Sequence, residues 1–292
     1  MEIVRDIAAL SAATARLRSA GPLALVPTMG ALHAGHISLL DTARLSARHL
    51  VASIFVNPAQ FGPNEDFNRY PRQEAADAAL LEAAGCDLLF LPPVAAIYPP
   101  GFATSITVKS LGDSLCGAAR PGHFDGVCVV VAKLLNMARP DIAVFGEKDW
   151  QQLAIIRRLV ADLDIPVRII GSPTVREPDG LAMSSRNAYL TPEQRRAAVA
   201  LPGAMQAAIA AIAAGCDPAT ALAAAEQALL SAGFAAIDYL TLADADTLTP
   251  ISAPGNVPGS APASAPANAR LFAAARIGST RLIDNMPLKA RA

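Results

Sequence analysis

The chain has 292 residues, 24 Lys and Arg against 25 Asp and Glu, a formal net charge of −1, and 53% hydrophobic against 17% charged residues. That length and apolar content exclude a disordered chain and point to one large domain or two moderate ones. The balanced charge excludes a broad surface for nucleic acid or anionic membrane, while leaving room for a small basic pocket.

Much of the apolar share is Ala, so the mean hydropathy of +0.35 overstates how apolar the core is. The cysteines at 86, 116, 128 and 216 show no CxxC spacing and no His at ligand spacing, so they form neither a disulfide framework nor a zinc site. The opening MEIVRDIAAL has no cleavable apolar core. The charge-free stretch 88–108 is broken by Pro92, Pro93, Pro99 and Pro100, and 197–216 is mostly Ala with Pro202 and Gly203 inside. Neither has the Leu, Ile, Phe and Val content of a membrane span, so a soluble, cytoplasmic protein is expected.

In chain order, a strand is predicted over 23–26, running into PTMG and then a helix through LHAGHISLLDTARLSA. A strand over 50–56 stops at Asn57-Pro58, a helix over 74–84 ends at Gly85, and a third strand covers 86–91. A helix over 126–137, a strand over 142–145, a helix over 150–161 and a strand over 167–170 follow. Continuous apolar strands alternating with helices predict a parallel sheet covered on both faces. The strand tails PTMG, VNP and FGEKD then lie at the carboxyl edge, where open α/β sheets bind ligands.

After about residue 174 the texture changes to a turn-rich SPTVREPDG, then MSSRN, then a helix start with Thr191 as cap and Pro192 at the first helical position. Two Ala-rich helices and short strands near 237–243 and 270–277 predict a smaller α+β domain over 175–292. ISAPGNVPGSAPASAPANA, near 251–268, has the composition of a mobile loop.

The sharpest chemical signal is PTMGALHAGHISLL, where a strand ends and a helix opens. His33 and His36, three apart, share a helix face at the amino end, beside unsatisfied amides and the positive end of the dipole. Gly30 permits a tight turn, and Gly35 lets a flat ring approach the backbone. Such a pair suits attack on the α-phosphate of a nucleotide, donating to oxygens as charge builds.

In FGEKDWQQL, Lys148 is a point-charge anchor for phosphate, Asp149 suits ribose hydroxyls, and Gln152 shares its helical face. In LAMSSRNAYL, Ser184, Ser185 and Arg186 suit a polyphosphate clamp. In FVNPAQFGPNEDFNRYPR, Asn57 and Gln60 follow a strand end, with Tyr70 and Arg72 later in the loop, and Asn57, Gln60 and Tyr70 are candidates for holding the substrate.

The chain resembles the pantoate–β-alanine ligase (pantothenate synthetase) family of the HxGH nucleotidyltransferase superfamily. The matching blocks are PTMGALHAGH, FVNPAQFGPNEDFNRYPR, RPGHFDGV, VFGEKDWQQL, PTVREPDGLAMSSRNAYL and the terminal RLIDN, in family order across residues 27 to 285. The resemblance implies ATP-dependent condensation of pantoate with β-alanine to pantothenate, AMP and pyrophosphate. It also implies a homodimer and an α/β fold in which a Rossmann-like, doubly wound domain over 1–174 binds nucleotide and pantoate. By position, the ATP contacts would be Met29, Gly30, Ala31, Leu32, His33, Ala34, Gly35, His36, Gly146, Glu147, Lys148, Asp149, Val175, Met183, Ser184, Ser185 and Arg186. His36 would be catalytic, Gln60 and Gln152 would hold pantoate, Gln60 would also lie near β-alanine, and Arg120 and His123 would be close by. The sequence departs from the family pattern in its Ala-rich C-terminal helices and in the Pro/Ala/Ser insertion.

The expected mechanism is two-step acyl transfer. The pantoate carboxylate, already ionised, attacks the α-phosphorus without a general base, and β-alanine then attacks the mixed anhydride. The work is therefore positioning and charge neutralisation, by His33, His36, Lys148 and Arg186, with Mg²⁺ on the phosphates and no protein metal ligands assigned. The loops 184–186 and 62–70 are candidate lids that would shield the anhydride from water. Other readings are an HxGH nucleotidyltransferase acting on a phosphorylated acceptor, a nucleotide-sensing module, and a scaffold. The net charge and the lack of a polybasic run exclude a nucleic-acid partner.

Overall fold

The computed structural model describes residues 1–63, 65–251 and 268–288, so most of the low-complexity segment predicted as a mobile loop lies outside the described residues. The chain divides into two compact units, Met1–Val175 and Arg176–Ala292.

The first unit holds β1 (Glu2–Val4), α1 (Ile7–Ala20), β2 (Leu23–Thr28), α2 (Ala34–Arg44), β3 (His49–Ile54), α3 (Glu74–Ala83) and β4 (Leu88–Phe90). After these come α4 (Val94–Ile97), α5 (Cys116–Ala119), α6 (His123–Ala138), β5 (Ile142–Gly146), α7 (Trp150–Asp162) and β6 (Arg168–Ser172). The six strands form a parallel sheet in the order β1-β4-β3-β2-β5-β6. From β2 the chain winds outward through β3 and β4, then returns to add β5 and β6 on the other side, so the order reverses between β2 and β5. Leu23, Ala24, Leu25 and Val26 are all buried, as strands covered on both faces require. On one face Leu39 and Leu40 of α2 and Leu81 of α3 pack over Ala24, Val26, Leu50, Leu89 and Val144.

Two aspartates set the register of this sheet. Asp87, just before β4, accepts the Leu50 N–H of β3 at 2.8 Å, and Asp141, just before β5, accepts the Leu23 N–H of β2 at 2.8 Å. Each satisfies an amide at the start of a neighbouring strand, where the ladder has no partner for it.

The reversal point opens for a backbone reason. β2 pairs with β3 along six residues, but with β5 only at Ala24–Ile142 and Leu25–Ala143. The Leu23 carbonyl accepts from Asp141 on the β5 side and the Thr28 carbonyl accepts from Phe55 on the β3 side. Strand alternation therefore turns the Pro27 backbone toward β5, and proline has no N–H to continue that ladder. The strand ends part there, at the carboxyl edge.

The second unit holds α8 (Pro192–Ala198), α9 (Ala200–Ala213), α10 (Pro218–Ser231), β7 (Ala236–Asp244), β8 (Ala269–Ile277) and β9 (Thr280–Pro287), the strands forming an antiparallel sheet in that order. Thr191 caps α8 as predicted, and its reciprocal partner is Gln194, at 3.3 and 3.1 Å. The helical run Pro192–Ala213 is, by length and composition alone, long and apolar enough to cross a membrane. Its Leu201, Met205 and Ala208 are buried in a core shared with Leu229, Leu240, Leu271 and Leu282.

β9 was not predicted, because Arg281, Asp284 and Asn285 break the apolar alternation. The structure pairs those charges. Arg281 meets Asp238 at 2.6 Å, and the nearly inaccessible Asp284 carboxylate takes a two-pronged bond from Arg176 at 2.6 and 2.9 Å. Arg176 also donates to the Gly180 carbonyl at 3.0 Å, while Glu177 binds Arg195 at 2.6 Å and Asn187 at 2.9 Å. The turn-rich segment is thereby anchored to the sheet. Asp284→Ala leaves that guanidinium without its buried partner and is expected to cost about 3–5 kcal/mol. Urea unfolding of the variant checks this, and a loss below about 1 kcal/mol would show that the pair does not hold the segment.

Candidate active site

The loop from β2 to α2 is built by satisfying amides that no carbonyl reaches. Thr28 Oγ1 donates to the Ser53 carbonyl at 2.8 Å and accepts the Gly30 N–H at 3.2 Å. Gly30 and Ala31 both take left-handed backbone, at φ 83° and 52°. A side chain at Gly30 would also bring its Cβ to 2.9 Å from an Asp77 carboxylate oxygen. That carboxylate reaches in from α3, 2% exposed, and accepts the Ala31 and Leu32 N–H groups at 2.9 and 2.8 Å. Asp77 escapes sequence reasoning because, within its helix, it looks like an ordinary surface acid.

His33 is the cap of α2. Its Nδ1 accepts the Gly35 N–H at 3.1 Å, and His36 Nδ1 accepts the His33 N–H at 3.3 Å. A backbone N–H can only donate, so in both rings Nδ1 is the bare nitrogen and the proton sits on Nε2. The rings lie 4.2 Å apart. Burial, with help from His33 and Lys148, pushes His36 down to about 3, against a smaller opposing pull from Asp149. His36 is thus a neutral donor through Nε2–H at ordinary pH.

Gly146 ends β5, and Glu147, Lys148 and Asp149 form a single 3-10 turn before α7. This turn acts electrostatically on His36, and Asp149 acts on His123 as well. Gln152 is half-buried in the first turn of α7. Its neighbour Gln151 is the buried one, accepting the Cys116 N–H at 2.9 Å and donating to the Leu111 and Ser114 carbonyls at 2.8 Å. Gln151 pins the segment that leads to Arg120 and His123, a task its sequence neighbourhood does not reveal.

A third group completes the cluster. Arg120 grips Glu65 with two bonds of 2.6 Å and donates to His123 Nε2 at 2.9 Å. Arginine only donates, so His123 carries its proton on Nδ1 and donates a hydrogen bond from there to the Gln60 carbonyl at 2.8 Å. Burial, then the Arg120 charge, pushes His123 down to about 4. The Gln60 side chain reaches back to Met29 Sδ at 3.3 Å. The turn Pro58–Gln60 seats tightly on α6, where a Cβ on Gly126 would run into the Ala59 carbonyl.

The first unit therefore gathers Met29, Gly30, Ala31, Leu32, His33, Ala34, Gly35 and His36 with Lys148, Asp149, Gln60, Arg120 and His123. Asn57, a substrate candidate on sequence, is 1% exposed with its amide bonded inside the protein. Tyr70 is buried edge-on against Phe61 at 6.0 Å. Val175 ends the first unit. Met183, Ser184, Ser185 and Arg186 belong to the second unit, where Ser184 caps the 3-10 turn Ser185–Tyr189 by accepting the Arg186 N–H at 3.3 Å.

The family model described as Pantoate-beta-alanine ligase matches residues 2–287. The chain belongs to the pantoate–β-alanine ligase family. It is 59% identical over 289 residues to a pantothenate synthetase of Sphingopyxis alaskensis, covering 99% of this chain and 100% of that protein. It is 57% identical over 290 residues to one of Rhizorhabdus wittichii, covering 99% of each. Among solved structures, a pantothenate synthetase from Thermus thermophilus superposes with a TM-score of 0.91 at 46% identity, covering 99% of this chain and 100% of that one. A pantoate–β-alanine ligase from Francisella tularensis, complexed with Beta-gamma ATP and Beta-alanine, gives a TM-score of 0.81 at 34% identity, covering 99% of this chain and 98% of that one. The protein is accordingly a pantoate–β-alanine ligase, an enzyme of pantothenate biosynthesis, with the α/β architecture those structures share.

The two depressed histidines make stability depend on pH with a definite sign. An unfolded histidine takes up a proton near its ordinary 6.5, whereas the folded chain refuses it until about 3 at His36 and about 4 at His123. Their contribution is complete above 6.5 and is lost as pH falls, by about 2 kcal/mol per histidine between pH 7 and pH 5. Urea midpoints at the two pH values should show a drop that shrinks in His123→Gln; an equal drop in both proteins would contradict this.

Proposed function

We propose that this ligase is ATP-dependent and works through a pantoyl adenylate, with its first unit, Met1–Val175, binding nucleotide and pantoate. The observation that carries this reading is the histidine pair at the head of α2. Two rings have their Nδ1 atoms tied to backbone amides, so two Nε2–H donors are held in fixed orientation at a helix amino end, next to Lys148. The Francisella tularensis relative, complexed with Beta-gamma ATP and Beta-alanine, supports the same choice of substrates.

In this reading a pantoate carboxylate oxygen attacks the α-phosphorus, the bond to the bridging oxygen breaks, and pyrophosphate leaves. The β-alanine amine, as free base, then attacks the acyl carbon, the carbon–oxygen bond to AMP breaks, and the amine proton passes to solvent. Charge builds on the α-phosphate oxygens in the first step, and His33, His36 and Lys148 meet it without reorganising. A neutral His36 suits this task, since it donates a hydrogen bond and is not consumed as an acid. Gln60 and Gln152 hold pantoate, and Arg120 and His123 shape the β-alanine side through the Gln60 turn.

Asp77 positions the nucleotide loop, and Ser184, Ser185 and Arg186 are candidates for phosphate contact. Among the described residues no group of three His, Cys, Asp or Glu is placed to hold a metal ion. Mg²⁺ would therefore come in on the triphosphate, a usual arrangement for a cation that prefers phosphate oxygens and water. A cytoplasmic homodimer acting on small molecules belongs to the same reading, and sedimentation checks the assembly.

His36→Ala is expected to lower the pyrophosphate burst from ATP and pantoate by about 10²–10³ with the fold unchanged. A burst near that of the parent would remove His36 from the chemistry. Omitting reactants in turn should give pyrophosphate with ATP and pantoate alone, and AMP only once β-alanine is added. AMP release independent of β-alanine would favour another nucleotidyltransferase. Asp77→Asn replaces one of two acceptors with a donor facing a backbone N–H, and is expected to raise the KM for ATP about tenfold. An unchanged KM would show that the loop holds its shape without the carboxylate.

A further inference from the structure

The buried amide of Asn57 is oriented without ambiguity. Its Oδ1 accepts the Ala59 N–H at 3.2 Å, and its Nδ2 donates to the Gly126 carbonyl at 3.0 Å. A backbone N–H only donates and a backbone carbonyl only accepts, so these contacts decide which end is oxygen. The Tyr98 hydroxyl, just past α4, donates to the same Oδ1 at 2.8 Å. The other Nδ2 hydrogen goes to Gln60 Oε1 at 3.0 Å. With that oxygen committed, Gln60 turns its Nε2 outward, and the partner it finds there is Met29 Sδ, a weak acceptor that a substrate oxygen displaces at little cost.

We propose that Tyr98 and Asn57 are positioning residues that set the polarity of the Gln60 amide, so that Gln60 offers the acid substrate an N–H donor and selects an oxygen acceptor at that point. The proposal rests on the reading that Gln60 holds pantoate, and it gives Asn57 a role through Gln60 in place of direct contact. The Gln60 main chain is held separately, by His123 and Arg120 on its carbonyl, so the side-chain relay can be loosened without releasing the turn. The Tyr98 ring packs on Phe55 and Phe102, at 6.3 and 5.1 Å between centroids, and Tyr98→Phe keeps that packing. Burial pushes the Tyr98 hydroxyl up to about 12, which keeps it a donor throughout the working range. The relay includes none of His33, His36 or Lys148.

The test is a double-mutant cycle read in steady-state kinetics. Tyr98→Phe is expected to raise the KM for pantoate about five- to tenfold, with kcat and the KM for ATP within about twofold of the parent. In a Gln60→Ala background the same substitution should add less than about twofold, because the amide whose polarity it sets is gone. Asn57→Asp cannot donate to Gln60 Oε1, so the Gln60 amide turns its oxygen outward, and the pantoate KM should rise by more than in Tyr98→Phe. A full five- to tenfold effect of Tyr98→Phe in both backgrounds, or a parallel rise in the KM for ATP, overturns the relay. If Gln60→Ala itself leaves the pantoate KM unchanged, the assignment of Gln60 to pantoate falls first, and the relay falls with it.

Discussion

Between β2 and α2 the chain leaves the sheet and has not yet entered the helix, so its amides have no carbonyls to bind. Five of them are satisfied by side chains: Gly30 by Thr28, Ala31 and Leu32 by Asp77, His33 by His36, and Gly35 by His33. Much of the site follows from this constraint. It selects the tautomer of both histidines, and it aims both Nε2–H groups away from the backbone. It also requires α3 to run where Asp77 can reach the loop, and it leaves no space for a side chain at Gly30. The groups that complete the helix start are the groups proposed to meet the nucleotide.

The rest of the first unit places this loop among its partners. Asp87 and Asp141 lock the register of neighbouring strands, and Pro27 ends the β2–β5 ladder. The strand tails therefore open at the point where the topology reverses, with the 146–149 turn on one side and the histidine loop on the other. From beyond β3, the turn at 58–60 is drawn in by α6, whose Gly126 permits backbone-to-side-chain approach that any Cβ would prevent. Asp149 acts on His36 and on His123, which ties the two halves of the cluster together electrostatically.

The second unit solves a different problem by similar means. Its turn-rich segment from Arg176 to Asn187 has little apolar content of its own, so polar bonds do the anchoring. Arg176 to Asp284 spans 108 residues of sequence, and Glu177 ties the segment to Asn187 and Arg195. This accounts physically for two of the matching sequence blocks, PTVREPDGLAMSSRNAYL and RLIDN, being found together: each holds one half of a buried ion pair.

Local pattern determined a good deal by itself. The continuous apolar runs of β2, β3, β4 and β5 could only be strands covered on both faces, and their alternation with helices gave a parallel sheet with its ligand edge at PTMG and FGEKD. The spacing of His33 and His36, and the Thr191-Pro192 helix start, are local too and were legible. β1 was too short to register and β9 too charged. Asp77, Gln151, Tyr98 and Gly126 carried no signal, since each acts on residues 35 to 69 positions away. Asn57 read as a ligand because a polar residue after a strand is normally exposed; only the packing of α6 and Tyr98 around it buries it. Periodicity records which face of an element is apolar, so the sequence determined the strongly patterned elements, their layering and the family. Which buried polar group meets which backbone amide depends on how distant elements dock, and that the tertiary structure alone decided.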